Sequence, residues 1–110
     1  MSDESALETA SVSTGFAPCE KPARYLQQLV SHWSHKMAAT WTDPVAAFPF
    51  SDVTTAVMQA LPTGIGITLT TADHDENVRM RGVLEKHLDR FAFREAPLTY
   101  EWEEPKEPKL

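Results

Sequence analysis

Apolar residues recur along this chain in two rhythms. Tyr25, Leu26, Leu29, Val30 and Trp33 are spaced by one, three, one and three, which puts them on one stripe of a helix. The spacing predicts a helix over Pro22 to Met37, with Pro22 in the first turn, where its missing N–H costs nothing. Ile65, Ile67 and Leu69 instead alternate with Gly66, Thr68 and Thr70, the period of a strand with one apolar face. Pro62-Thr63-Gly64 reads as a turn that makes Val53 to Ala60 its hairpin partner. Helical spacing returns at Val83, Leu84, Leu88 and Phe91, preceded by a capping arrangement of Asp73 with Glu76 three residues later. Gly82 weakens this helix by about 1 kcal/mol relative to Ala and is expected to permit a close approach to the sheet. Leu98, Tyr100 and Trp102 alternate on one face of a final strand, Leu98 to Trp102. Shorter strands are expected at Ala38 to Thr42 and Val45 to Phe50, with Pro49 making the latter an edge or an interruption. A first strand is expected over Leu7 to Thr14, ended by "GFAPCEKP", where Gly15, Pro18 and Pro22 act as punctuators.

The order strand, helix, several strands, helix, strand implies an α+β two-layer sandwich. The middle connections are too short for crossovers, so the sheet must be mainly antiparallel. Two amphipathic helices then cover one face of four to six strands, pinned by Trp33 on one helix and Phe91 on the other. The opposite face either stays solvated or is buried in a second subunit, and Trp41, Phe48, Phe50 and Trp102 are candidates for it if alternation places them there. A single domain is expected over residues 6–103, with residues 1–5 and the Pro- and charge-rich residues 104–110 disordered.

Composition narrows the classes of function. With 110 residues the chain has room for one modest core, and partnering in a homodimer would add buried surface. The net charge of -6 argues against nucleic acid and against an anionic membrane surface as partners. One cysteine, Cys19, cannot form an internal disulfide, which fits a reducing cytoplasm. The start "MSDESALETA" has no apolar core of a signal peptide, and no apolar run approaches the roughly 20 residues of a membrane span.

Two stretches carry candidate chemistry. In "YLQQLVSHWSHK", His32 lies at the edge of the first helix's stripe and His35 beyond it, while His87 falls within the second helix's apolar face. The plain reading of His87 is a neutral core imidazole bonded to a backbone carbonyl. The sharper one joins His32, His35 and His87 as a metal site between the helices, with Cys19 as a fourth ligand that nothing in its local sequence recommends. In "HLDRFAFRE", Arg90 and Arg94 sit four apart on one flank. They are either ion-pair partners of Asp89, Glu95 or acidic groups near Lys36, or part of an anion pocket formed by Arg24, Lys36, Arg90 and Arg94. No Gly-rich phosphate loop and no Gly-x-Ser-x-Gly elbow appears, so no enzyme class or organic cofactor emerges from the residues.

"ARYLQQLVSHWSHK" and "HLDRFAFRE" together resemble the two signature blocks of a small bacterial domain family of unknown function. Its members occur alone or joined to siderophore-interacting, flavin-dependent ferric reductases. The matching positions include Arg24, Tyr25, His32, His35, Lys36, His87, Arg90, Phe91, Arg94 and Glu95; family members carry a cysteine where this chain has Val30, which leaves a Cys/His ligand scheme without its sulfur. The resemblance brings no established activity; a non-enzymatic binding or accessory module is the first reading, with a small anionic ligand or such a reductase as partner, and the fusion partners imply its link to iron or siderophore handling. A metal-binding enzyme or sensor and a self-associating structural module are the alternatives.

Overall fold

The computed structural model describes residues 10–103. The termini expected to be disordered, and the start of the strand expected from Leu7, lie outside them. The elements run β1 (Ser11–Pro18), α1 (Pro22–Trp33), β2 (Thr40–Thr42), β3 (Val45–Pro49), β4 (Thr55–Leu61), β5 (Gly64–Thr71), α2 (His74–Phe91) and β6 (Glu101–Trp102). The six strands form one sheet in the order β2-β3-β4-β5-β1-β6, with every neighbouring pair antiparallel. Both helices lie on the same face: α1 over β2, β3 and β4, and α2 over β5 and β1. This is the expected two-layer α+β sandwich. No helix among the described residues is long and apolar enough to cross a membrane.

Strand alternation builds the core. Ile65, Ile67 and Leu69 of β5 point inward with Ala56 and Met58 of β4, Ala46 and Phe48 of β3 and Ala17 of β1. Leu26, Leu29 and Trp33 of α1 and Met80, Leu84 and Leu88 of α2 close over them. Fully burying one such leucine contributes roughly 1.5–3 kcal/mol.

Several boundaries differ from the periodicity. β1 continues through Gly15 to Pro18, because Gly15 is a packing position and not a break. The Trp102 ring lies directly on it, and a Cβ there would come within 2.8 Å of Trp102 Cε3. Gly82, expected to approach the sheet, is exposed with open space around it. α1 stops at Trp33, since the apolar stripe ends there and Ser34 to Met37 form a turn. β3 is an interior strand. Its Pro49 sits past Ala47, the last residue that β2 pairs, where no neighbour on that side needs an N–H.

Asp73 caps α2 as expected, accepting a hydrogen bond from the Glu76 N–H at 2.8 Å. The buried stripe of α2 is Asn77, Met80, Leu84 and Leu88, with Val83 and Phe91 only half-buried. Fully buried Asn77 accepts from Ser13 Oγ (2.8 Å) and Arg81 Nε (3.1 Å), and donates to the Ser11 and Leu69 carbonyls (both 3.3 Å). The last strand is shorter than expected, but Tyr100 and Trp102 do share a face: their side chains bond Asp89 and Glu85 of α2.

Alternation does not place the four aromatic candidates on the second face. Phe48 is fully buried under the helices, Trp41 and Trp102 share the inner face with their partners Ala46 and Gly15, and Phe50 packs its ring 4.9 Å from Trp33. The outer face carries mainly threonine, valine and glycine instead, with Phe16 and Leu61 at one end.

Candidate functional site: a basic cleft on the helix seam

The seam between α1 and α2 opens at the start of α1 into a cleft of about 420 Å³. Glu20, Lys21, Arg24, Tyr25 and Gln28 line it from α1 and its approach; Phe91, Phe93, Arg94 and Glu95 line it from the end of α2 and the turn beyond. Helical spacing presents Arg24 and Gln28 on the flank of the stripe that buries Tyr25 and Leu29. The first turn of α1 has no capping side chain and no acidic residue of its own.

Glu20 and Glu95 bring two carboxylates to the three cations of this cleft, and Glu95 is engaged by neutral donors. Tyr25 donates its hydroxyl to Glu95 Oε2 at 2.5 Å, and the Glu20 N–H reaches both carboxylate oxygens at 3.1 and 3.2 Å. The bond to Glu95, burial and the Glu95 charge, in that order, push the Tyr25 phenol up to about 12. Cys19, buried beside them, is pushed up to about 11, by burial first and then by the Glu95 charge, against a hydrogen bond from the Lys21 backbone. Both groups therefore stay protonated at neutral pH, and Cys19 offers no thiolate to a metal.

The cations are not consumed in the same way. Among the described residues the one ion pair joins Arg79 and Glu76, on the exposed side of α2. Ion pairing of Arg90 and Arg94 with Asp89 or Glu95 is not formed: Asp89 instead receives the Leu98 N–H and the Tyr100 hydroxyl. The Arg94 guanidinium lies 5.7 Å from the Phe93 ring centroid, and Phe93 is 70% exposed, so an aromatic surface and a guanidinium stand together at the cleft's rim.

A second, more open cleft of about 370 Å³ adjoins the first and shares Gln28 and Phe91 with it. His32, His35 and Arg90 line it. The expected quartet is thus divided. Arg24 and Arg94 share the first cleft, Arg90 belongs to the second, and Lys36 lines neither. Lys21 takes the place of Lys36, a residue the sequence reading passed over. A charge census would have found it, because residues 21–42 contain no Asp or Glu in a chain of net charge -6.

The three histidines do not assemble as ligands. His87 Nδ1 lies 2.8 Å from the Val83 carbonyl oxygen, which can only accept, so that nitrogen carries the proton. Its ring packs 4.7 Å from Trp33 and 5.6 Å from His32, and His32 in turn lies 5.6 Å from Phe91. The imidazoles fill the seam between Trp33 and Phe91. His35, expected on the helix, lies in the turn beyond Trp33 and is exposed. No group of three or more His, Cys, Asp or Glu among the described residues could hold a metal ion. Partial burial, then the charge of Arg90 and the neighbouring His87, holds the His32 imidazole below its ordinary value.

Fold and site together define a small α+β sandwich with a basic seam between its two helices. The chain belongs to a family described as "Uncharacterized protein conserved in bacteria (DUF2218)", whose model matches residues 14–103. It is also similar to PA4090 from Pseudomonas aeruginosa, solved by NMR. The two share 29% identity over 84% of this chain and 95% of that one, with a TM-score of 0.72. No curated protein matches the chain.

Proposed function

We propose that this chain is a non-enzymatic binding module whose first cleft takes an anion. The carrying observation is the convergence of Lys21, Arg24 and Arg94, none paired with a carboxylate among the described residues, in a chain whose overall charge is strongly negative. A basic cleft on an acidic surface focuses an anion onto one place. Guanidinium forks then hold a carboxylate through charge-assisted hydrogen bonds worth roughly 1.5–3 kcal/mol each. The protonated Tyr25 and Cys19 favour holding over reacting, since neither is a base at neutral pH.

The resemblance to domains joined to siderophore-interacting reductases makes an anionic ferric chelate the ligand class to try first, with the iron as cargo. This link is analogy and not chemistry read from the cleft. Titration calorimetry with ferric and iron-free carboxylate siderophores tests it. The expected result is saturable binding that Arg24→Ala with Arg94→Ala weakens by about a hundredfold or more, given two lost charge-assisted bonds. Absence of heat at millimolar chelate removes the ligand class; equal binding by the double variant removes the cleft.

A further inference from the structure

The outer face of the sheet has a property that the rest of the molecule lacks. Every outward residue of β1 to β5 is uncharged. Its central row runs Thr40, Ala47, Val57, Thr68 and Thr14 across five strands, and the first charge appears at Glu101 on the β6 edge. Charged residues make up 24% of the chain, so a charge-free sheet face is a marked departure from its composition. A solvated sheet normally carries Lys and Glu outward, which keeps like surfaces apart.

We infer that this face is the contact between two copies of the chain, packed sheet on sheet. Two observations select a second copy over another protein. The first is charge. Copies that each carry -6 repel wherever their ordinary surfaces meet, and this face lets them meet without burying any charge. A partner recruited by electrostatics would find nothing to read here. The second is area. With strands about 4.8 Å apart and a rise of about 3.4 Å per residue, the central four strands present on the order of 450 Å² in plan. Pleat and side chains raise the accessible value, so two copies face to face reach the roughly 1,200 Å² at which stable interfaces begin. The texture suits sheet packing: Phe16 and Leu61 lean over Gly64 and Gly66 and leave a low, even surface at one end, while Val57 stands 39% exposed at the centre.

The test is sedimentation equilibrium of the full chain, with Thr68→Glu and Val57→Glu as interface variants and Val53→Glu, in the exposed segment between β3 and β4, as control. The expected result is a wild-type dimer whose affinity increases as salt screens the repulsion between like-charged copies. Each interface variant should weaken it by about a hundredfold, from burying an unpaired carboxylate, and the control should leave it unchanged. Unaltered circular dichroism would show that the variants fold, and their melting should drop to that of an isolated monomer. A wild-type monomer at millimolar concentration overturns the inference. So do interface variants that dimerise normally, and so does association that salt abolishes, which would place the contact at the basic cleft.

Discussion

At the scale of single residues, Glu95 organises the cleft by what it leaves alone. A carboxylate taken up by a phenol and a backbone N–H forms no ion pair with the arginines of the cleft. Tyr25→Phe removes the phenol's bond and should cost about 1.5–3 kcal/mol near neutral pH, the worth of one hydrogen bond to a charged group. The pH dependence has a definite sign. Folding raises the Tyr25 value from 10.0 to about 12, so its contribution is complete below pH 10.0 and is lost as pH climbs toward about 12. Denaturant titrations of both proteins should therefore show a stability gap that closes over that window; a gap that widens would mean the phenol is not the donor. Cys19 offers a second check. Its shift from 9.0 to about 11 lowers the thiolate fraction roughly a hundredfold, so an alkylating reagent at neutral pH should label native protein far more slowly than unfolded protein. Equal rates would contradict the burial assigned to it.

At the scale of elements, β1 and β6 depend on each other through Gly15 and Trp102. Gly15→Ala forces the Trp102 ring away and should cost about 1–3 kcal/mol, the usual penalty of overpacking. Trp102 fluorescence should shift toward that of a solvated indole, and an unchanged spectrum would mean that the ring does not rest on Gly15. This pair also explains why β1 was misread. "GFAP" has the residues of a break, yet it continues as strand because Gly15 to Pro18 pair with Ile67 to Gly64 of β5 and the Trp102 ring rests on Gly15, contacts that no local pattern displays. Elements whose apolar spacing is strict, such as β5 and the capped start of α2, were legible because burial and local propensity agree there. The end of α1 was not, since Ser34 to Met37 hold no Gly or Pro to mark it. The faces of β2 and β3 were not either, because a one-residue change of register in a short strand turns every side chain over. Asn77 went unnoticed for a related reason: a polar residue on a buried stripe declares itself only through its partners on β1 and β5.

At the scale of the whole molecule, the two-layer architecture followed from element order and connection length, and it holds. The site was legible in part. Arg24 and Arg94 do share a cleft, while Arg90 faces its neighbour and Lys36 stands apart, because a helix ending at Trp33 carries the next turn away from the seam. The histidines were visible as residues but not as packing, since an imidazole that bonds its own helix's carbonyl reads the same in sequence as a metal ligand. What results is a molecule with two contrasting faces, a basic helix seam and a charge-free sheet. The central claim is that the first of these receives an anion. An amide NMR titration of the full chain with a tricarboxylate such as citrate tests this most directly. The account predicts saturable shifts concentrated at Lys21, Arg24, Tyr25, Gln28 and residues 91–95. Shifts confined to the outer sheet, or none at millimolar anion, would contradict it.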